Sequence, residues 1–418
     1  MDYSHPQILR FPNREGGAAR EQYIPLSRNE LVQRLVNGHK FGPKERETLL
    51  VVGQLLSAIL HREYNQRLEE LKGAYAPFDP DGLAAERLSD AVQMQQATVV
   101  FERFGELLQR ANFRKLSDDE LRATLQNSSD WGLRVKVDFT LFEKLEVFVR
   151  GDALGRWERC NWQTSYVKET VEIPIYERLA LIFRLRADRP SPKGLKPGMI
   201  TLKLFKNIPQ MDVEMLLPGS RVRMTWFDQA KIVLPTFSGL ALAAFKVFKG
   251  AVVFAFASAY GLLMSLIFVF GMLGYGLRSF FGYLNTKERY QHNLTRSLYY
   301  QNLDNNAGVL FRLLDEAEDQ DFREAMIAWF LLWQSAGTSG WTAEALDIEA
   351  ERKLREWLKH EVDFEVADAL EKLQRFGLAE QLGSNRWRAT PLALARFRLE
   401  RLWNDLNPVR QSEQQQAN

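Results

Sequence analysis

Four charged residues form the set most suited to chemistry in this chain, two carboxylates followed by two arginines. Asp212 and Glu214 stand two residues apart, and Arg221 and Arg223 repeat that spacing shortly afterwards. Carboxylates can act as general acid and base, and guanidinium groups bind phosphate, so the set could serve an enzyme acting on a membrane or lipid substrate. Ordinary surface charges beside anionic headgroups are the simpler interpretation. We therefore assign no catalytic residue.

The other reactive side chains predict neither a nucleophile nor a metal site. Cys160 is the single cysteine, and its sequence neighbours include an arginine but no histidine, which favours an unreactive thiol. The acidic stretch at residues 315–321 lacks the spacing of an EF-hand loop, so we interpret it as charge on a helix surface. No cofactor and no metal is expected. The histidines stand too far apart for a local metal motif: His5, His39, His61, His292 and His360.

A long apolar run dominates the pattern of elements that would have to position these side chains. Residues 251–277 contain no Asp, Glu, Lys, Arg, His, Asn or Gln, and as a helix they would span about 40 Å, more than the hydrocarbon core of a bilayer. A second charge-free stretch, residues 232–245, precedes them. We therefore predict an α+β integral membrane protein with a two-helix transmembrane hairpin, its spans at about 231–248 and 251–277.

Basic residues on either side of the apolar region decide its predicted orientation. Seven lie in the two flanks, whereas only Lys246 and Lys249 lie in the predicted turn. The positive-inside rule then places both flanks in the cytoplasm. A single span would leave the count undecided and stays open as the alternative. The predicted membrane-interface residues are Lys231, Lys246, Lys249 and Arg278, and the lipid bilayer is the first predicted partner.

The sequence before the apolar region predicts a helical domain followed by a β-rich domain. Helical periodicity begins with Ser27 as N-cap and Glu30 three positions later, and it continues to about residue 126 with a break at 77–82. Alternating apolar and polar residues then predict four or five strands of an antiparallel meander with one face in water. Those strands lie at 133–139, 145–149, 171–175, 179–185 and 200–204.

The C-terminal part predicts a winged-helix-like domain of three helices, a two-stranded wing that turns at Gly383, and a closing helix after Pro391. Such domains often bind DNA through the third helix. Residues 320–404 carry 12 basic and 14 acidic side chains, a net charge of −2, and the whole chain has a net charge of only +2. Binding to nucleic acid depends on neutralising phosphates. We therefore expect a protein partner or self-association, although Arg386 and Arg388 in the wing would suit a nucleic acid.

The predicted organisation follows the order of these patterns along the 418 residues. A chain of this length is expected to hold two or three domains. The predicted parts are a polar lead-in (1–22), a helical domain (23–128), a β-rich domain (129–228), the transmembrane region (229–281), a helical connector (282–320), the winged-helix-like domain (321–406) and a disordered tail (407–418).

Two blocks of sequence go beyond general patterns, FKNIPQMDVEMLLPG at 205–219 and LYYQNLDNNAGVL at 298–310. With the strand at 139–151 and the apolar pair between the blocks, they resemble the family of transmembrane protein 143, over roughly residues 23–402. The resemblance implies two membrane spans, in bacterial membranes or animal mitochondria, and it brings no established activity. The N-terminus has no convincing transit peptide. We therefore predict the bacterial cytoplasmic (inner) membrane over the mitochondrial inner membrane.

Together these patterns predict a membrane-anchored scaffold or adaptor that presents its domains on the cytoplasmic face for protein interaction. An enzyme acting on a membrane or lipid substrate through the β-rich domain is the alternative. A transporter is disfavoured, since neither predicted span contains an Asp, Glu, Arg or His that could line an ion path.

Overall fold

The first helix begins where the sequence predicts. The structure is a computed structural model, and it describes residues 7–9, 21–82, 90–121, 133–160, 168–192, 194–224, 274, 301–383 and 385–406. The Ser27 hydroxyl accepts a hydrogen bond from the Glu30 N–H at 3.2 Å, so the predicted N-cap is confirmed. The α-helices with both ends inside the described residues are α1 (Arg28–Asn37), α2 (Pro43–Tyr75), α3 (Asp90–Arg110), α4 (Val213–Leu216), α5 (Ala307–Ser335), α6 (Ala343–Leu358), α7 (Val366–Arg375) and α8 (Leu392–Leu406).

The strands form one large sheet and two small ones. The large sheet has the order β1-β4-β5-β6-β8, with β2 paired to β4, while β3 pairs with β7 and β9 with β10. The α+β class and the antiparallel sheet are thus confirmed. The strands are β1 (Gln7–Leu9), β2 (Arg114–Lys115), β3 (Leu133–Lys136), β4 (Phe142–Cys160), β5 (Lys168–Leu185), β6 (Ile200–Pro209), β7 (Arg221–Met224), β8 (Asn302–Asn305), β9 (Ala379–Leu382) and β10 (Arg386–Ala389).

Strand β5 differs from the prediction in two respects. The segments predicted at 171–175 and 179–185 are one continuous strand that pairs with β4 along its whole length. Every residue from Leu179 to Phe183 is buried, so this part of the sheet has no face in water. Helix α3 covers one face, where Phe104 meets Phe148 of β4 edge-on with ring centroids 6.4 Å apart. A strand covered on both faces loses the alternation that a half-exposed strand shows.

Helix α5 has more buried residues than any other helix described. Each of its residues from Gln320 to Leu332 is buried, and α1, α2, α3, α6 and α7 all contact it. A helix buried on all sides is normally apolar all round. The first turns of this buried stretch instead carry charged residues, among them Asp321 and Glu324. The fold therefore has to supply partners for these charges.

The chain divides into two compact units, which follow the sheet pairing. The first contains residues 1–116, 140–209 and 303–418, and the second contains 117–139 and 210–302. The large sheet, α5 and the C-terminal helices belong to the first unit, and the β3–β7 pair belongs to the second. Within the first unit, α6, α7, the β9–β10 hairpin and α8 follow in the order predicted for the C-terminal part.

The predicted class of integral membrane protein requires correction. Among the residues described, none of the helices combines the length and the apolar character needed to cross a bilayer. The two longest, α2 and α5, have 33 and 29 residues, but charged side chains interrupt both. This finding overturns the predicted membrane class and the predicted location in a bacterial or mitochondrial inner membrane. Apart from Gly274, the spans predicted at 231–248 and 251–277 lie outside the described residues.

Two glycines offer a matched test of the β4–β5 pairing. A Cβ on Gly151, whose φ is +76°, would lie 2.7 Å from the Glu177 Cβ on β5, whereas a Cβ on Gly73 in α2 would meet no atom within 4 Å. We expect Gly151→Ala to destabilise the fold by about 2 kcal/mol or more, through backbone strain and this clash. Gly73→Ala should stabilise it by up to about 1 kcal/mol. Urea denaturation of both variants tests this, and an unchanged midpoint for Gly151→Ala would contradict the described register.

Candidate functional site

The four residues singled out for chemistry lie in the second unit. Asp212 immediately precedes α4, and Glu214 lies within it with 2% of its surface exposed. Burial raises the pKa of the Asp212 carboxyl to about 6. Arg221 and Arg223 belong to β7, which pairs with β3, and their side chains lie outside what is described. The four residues thus lie in one unit. Contacts between the carboxylates and the arginines fall outside what is described.

The cysteine and the histidines occupy separate positions. Cys160 is the last residue of β4. His39 packs on an aromatic ring of α5 with centroids 5.2 Å apart, and the His61 Nδ1 lies 3.1 Å from a carboxylate of α5. The His360 Nδ1 lies 3.1 Å from a main-chain carbonyl at the end of α6. His5, His292 and the predicted membrane-interface residues Lys231, Lys246, Lys249 and Arg278 lie outside the described residues.

The acidic stretch of α5 is not the solvent-exposed surface that its composition predicts. Glu318 and Asp321 are only 2% and 1% exposed, because α5 is enclosed at this level. Arg28 of α1 pairs with Glu318 at 2.8 Å and also with Asp319. The interpretation as helix-surface charge is therefore wrong for Glu318 and Asp321.

The centre of this arrangement is a buried ammonium group surrounded by three carboxylates. The Lys372 Nζ of α7 lies 2.7 Å from Asp321, 2.8 Å from Glu324 and 2.5 Å from Asp368. The Tyr64 hydroxyl of α2 donates a hydrogen bond of 2.7 Å to Asp321. We call these five residues the Lys372 cluster. Three helices that are distant in sequence meet in it.

Burial and charge act in opposite directions on the Lys372 cluster. Burial alone would lower the pKa of Lys372, but the carboxylates of Glu324, Asp321 and Asp368 outweigh it and raise that pKa above its ordinary value. Burial raises the pKa of Glu324, and the neighbouring Lys372 opposes that rise. Burial is also the main reason why the pKa of Tyr64 is raised, with Asp321 adding to it. Lys372 is therefore the cation that the carboxylates hold.

The same geometry bears on metal binding. Ligand oxygens of Asp321, Glu324 and Asp368 lie within 4.8 Å of one another, a spacing that could hold a cation. The Lys372 ammonium already lies within 2.8 Å of all three carboxylates. Its charge fills the role that a metal would have, so we assign this cluster to structure rather than to metal chemistry.

The Lys372 cluster also determines which side of α7 is accessible. Lys372 is 3% exposed, and Ala369, Leu370 and Leu373 are buried with it. Arg375 at the end of the helix forms an ion pair of 3.0 Å with Glu63 of α2. The third helix of the winged-helix-like part thus directs its basic side chains towards α5 and α2.

A cleft lies close to this cluster, enclosed by α2, α3 and α5. It has a volume of about 380 Å³, and three arginines line it: Arg67, Arg103 and Arg110. The Arg110 Nη1 lies 3.8 Å from the Asp321 carboxylate of the Lys372 cluster. We call this feature the arginine cleft. Its volume lies within the range of small-molecule sites.

Comparison with known proteins covers a different part of the chain. Residues 176–308 match a family model described as a protein of unknown function (DUF3754). This segment contains a DUF3754 domain. It includes the block 205–219 and most of the block 298–310, and it extends from β5 to the first residues of α5. No solved structure matches the chain. The Lys372 cluster and the arginine cleft both lie outside the matched residues.

The sequence contains only weak signals for these two features. Asp368 and Lys372 are four residues apart on one helix, and Asp321 and Glu324 are three apart on another. Such spacings are common on exposed helix surfaces, where they form weak ion pairs. The two pairs of the Lys372 cluster differ from such surface pairs because α5 and α7 contact each other in the folded protein. No local sequence pattern encodes that contact.

Removing the Lys372 ammonium tests its structural role. We expect Lys372→Ala to destabilise the fold by about 3–5 kcal/mol, because three carboxylates would lose their buried counter-charge. Lys44→Ala, at an exposed position of α2, is the matched control and should change stability by less than about 0.5 kcal/mol. Urea denaturation followed by tryptophan fluorescence measures both. A loss below about 1 kcal/mol for Lys372→Ala would contradict the described cluster.

The titration of Asp212 provides a separate test in the second unit. Its pKa is raised from the ordinary 3.8 to about 6, so the contribution of this carboxyl to stability is present below about pH 4 and is lost as the pH rises through about 6. The measurement is a pH titration by NMR of the protein with carbon-13-labelled aspartate. The resonance that is absent from the Asp212→Asn variant belongs to Asp212, and it should titrate near pH 6. Asp188→Asn is the control, since the Arg186 hydrogen bond lowers the pKa of that exposed carboxyl. A midpoint for Asp212 below 4 would contradict its described burial.

Proposed function

We propose that the chain is a protein-interaction scaffold or adaptor whose C-terminal helix α8 binds a partner protein. The observation that carries this proposal is the outward face of α8. Leu394 and Phe397 on that face are 42% and 60% exposed, although both are large apolar side chains. Exposed apolar residues are ordinary when they occur singly, but grouping on one helix face is typical of a binding surface.

The two faces of α8 have different roles. Leu392, Ala395 and Leu399 are buried, and the helix packs against α2. Leu394 and Phe397 stand three residues apart on the opposite side, and the side chain of Arg401, one further turn along, is 75% exposed. This spacing of i, i+3 and i+7 is the pattern by which a helix binds in the groove of another protein. Aromatic residues and arginine also dominate the binding energy of protein interfaces.

A protein fits this surface better than a nucleic acid. Lys372 of α7, the helix that would read DNA in a winged-helix protein, is buried, and Arg375 is paired with Glu63. In the wing, Arg388 is paired with Glu380. The net charge of −2 over residues 320–404 adds to this argument, because DNA affinity depends on neutralising phosphates.

We also propose a relationship to the family of transmembrane protein 143. Its support is the pair of sequence blocks at 205–219 and 298–310, which lie wholly or mostly within the segment that matches DUF3754. The relationship would bring no activity and no residue roles, so it neither strengthens nor weakens the scaffold proposal.

An enzyme that uses the carboxylates of the second unit is the second candidate. The observation that favours it is Asp212, whose pKa is raised by burial into the range useful for a general acid or base. Burial raises the pKa of a carboxyl that has only a structural role in the same way. A shared site of Asp212, Arg221 and Arg223 is proposed only from their spacing in the sequence.

Point variants test the scaffold proposal better than truncation, since deleting residues 321–418 would remove most of the buried part of α5. The double variant Leu394→Gln/Phe397→Gln should reduce partner recovery by at least about tenfold, since it removes both apolar anchors. The full-length chain, cross-linked in its native cells, would be purified and its partners quantified by mass spectrometry. Val92→Gln/Met94→Gln, which changes exposed apolar residues of α3, is the matched control.

The outcomes separate the two kinds of partner. Loss of one defined protein in the α8 variant, with its retention in the α3 variant, would support a heterologous partner. A concentration-dependent dimer in analytical ultracentrifugation that the α8 variant abolishes would identify a second copy as the partner. Identical partners and identical sedimentation for all three proteins would contradict the proposal.

A further inference from the structure

The arginine cleft contains cations whose ion-pairing capacity is largely unused. Among the described residues, no carboxylate lies within ion-pair distance of Arg67, whose guanidinium is 5.4 Å from the Tyr64 ring centre. Arg103 donates a hydrogen bond of 3.3 Å to the main-chain carbonyl of Glu70, and its nearest carboxylate oxygen is that of the same residue at 4.0 Å. For Arg110 it is that of Asp321 at 3.8 Å. All three guanidinium groups therefore have donors left for a ligand.

Some ion pairs of the same chain are as long as these, such as Arg114–Asp152 at 3.7 Å, but others show how closely an arginine can approach a carboxylate. Arg150 and Glu316 pair at 2.7 Å inside the protein, and Arg34 and Glu30 pair at 2.7 Å on the surface of α1. Arginine can reach such distances because its planar donors match a carboxylate or phosphate. One arginine of the cleft has no carboxylate partner among the described residues and the other two have only long ion pairs, so the cleft is suited to an external anion.

Other side chains of the cleft limit the charge and character of the ligand. Glu70 and Glu106 also line it, so its five charged groups have a net charge of only +1. This balance favours a ligand with one or two negative charges over a polyanion. Leu71, Leu107 and Leu314 provide an apolar wall. Phe311, one turn before Leu314 on α5, is 49% exposed, and the Lys72 ammonium lies 5.4 Å from the centre of its ring.

We propose that the arginine cleft binds a small organic anion, a carboxylate or phosphate ester that carries an apolar group. The volume of about 380 Å³ accommodates a small molecule rather than a folded peptide. The anionic end contacts Arg67 and Arg110, and the apolar group packs on the leucine wall. This site is separate from the partner surface proposed on α8, and neither proposal depends on the other.

Binding of simple probes to the full-length chain tests the proposal. Benzoate and phenyl phosphate carry the two anionic groups on the same apolar ring, and benzyl alcohol is the uncharged control. In isothermal titration calorimetry at low salt, we expect saturable binding of at least one anion, at about millimolar concentration or below, and none of benzyl alcohol. A preference for phenyl phosphate would identify a phosphate ester as the ligand class, and a preference for benzoate a carboxylate.

Variants of one helix connect the binding to the cleft. Arg67→Gln should weaken anion binding by at least about tenfold. Because Arg67 has no carboxylate partner among the described residues, the thermal unfolding of the Arg67→Gln variant should match that of the unaltered protein. Arg62→Gln, at an exposed position of the same helix outside the cleft, is the matched control and should leave binding unchanged. Arg67→Lys keeps the charge but loses the planar donors, so its affinity for the anion should lie between those of Arg67→Gln and Arg62→Gln.

Two results would overturn this inference. One is the absence of saturable binding of both anions up to about 10 mM. The other is anion binding that Arg67→Gln and Arg62→Gln weaken equally, since it would then arise from the general charge of α2. Raised salt should weaken genuine binding in the cleft, because the contact is largely electrostatic.

Discussion

The burial of charged residues in α5 is the constraint on which the described fold depends. A helix enclosed on every side cannot leave a carboxylate without a partner, because an isolated buried charge costs many kcal/mol. Several neighbouring elements accordingly send a polar side chain to α5. Lys372 arrives from α7, Tyr64 from α2 and Arg28 from α1. Arg150 of β4, 6% exposed, joins the large sheet to Glu316 at 2.7 Å. The ion pairs and the Tyr64 hydrogen bond thus connect the sheet and three helices to one central helix.

These ion pairs are better understood as determinants of arrangement than as sources of stability. A buried ion pair often contributes no more than a well-packed apolar pair of the same volume, because desolvation offsets the attraction. Apolar contacts between helices are not directional, so they would tolerate a helix that slides or rotates slightly. Three carboxylates around one ammonium permit few alternatives. The apolar core therefore drives the helices together, and the Lys372 cluster selects the way in which α7 packs on α5.

Sequence patterns predicted the local features well and the long-range ones poorly. The Ser27 cap, the wing turn at Gly383 and the antiparallel sheet follow from residues that are close in sequence, and the structure confirms them. The Lys372 cluster joins residues 64, 321 and 372, so only the completed fold reveals it. The membrane class was inferred from residues 251–277, of which only Gly274 is described, and the helices that are described contradict it. The arginine cleft was missed because its lining comes from three separate helices.

The order of strands in the large sheet has a further consequence. The chain leaves the first unit after Pro209, at the end of β6, and returns to it at Leu303 in β8, which lies next to β6. The intervening residues form an excursion whose two ends lie on neighbouring strands. The entropic cost of closing such an excursion grows only slowly with its length, so it can tolerate large changes in length while the sheet is kept. The DUF3754 match includes β6, this excursion and β8, but it omits β4, to which β5 is paired along its whole length. A fragment limited to residues 176–308 would therefore expose that edge of β5.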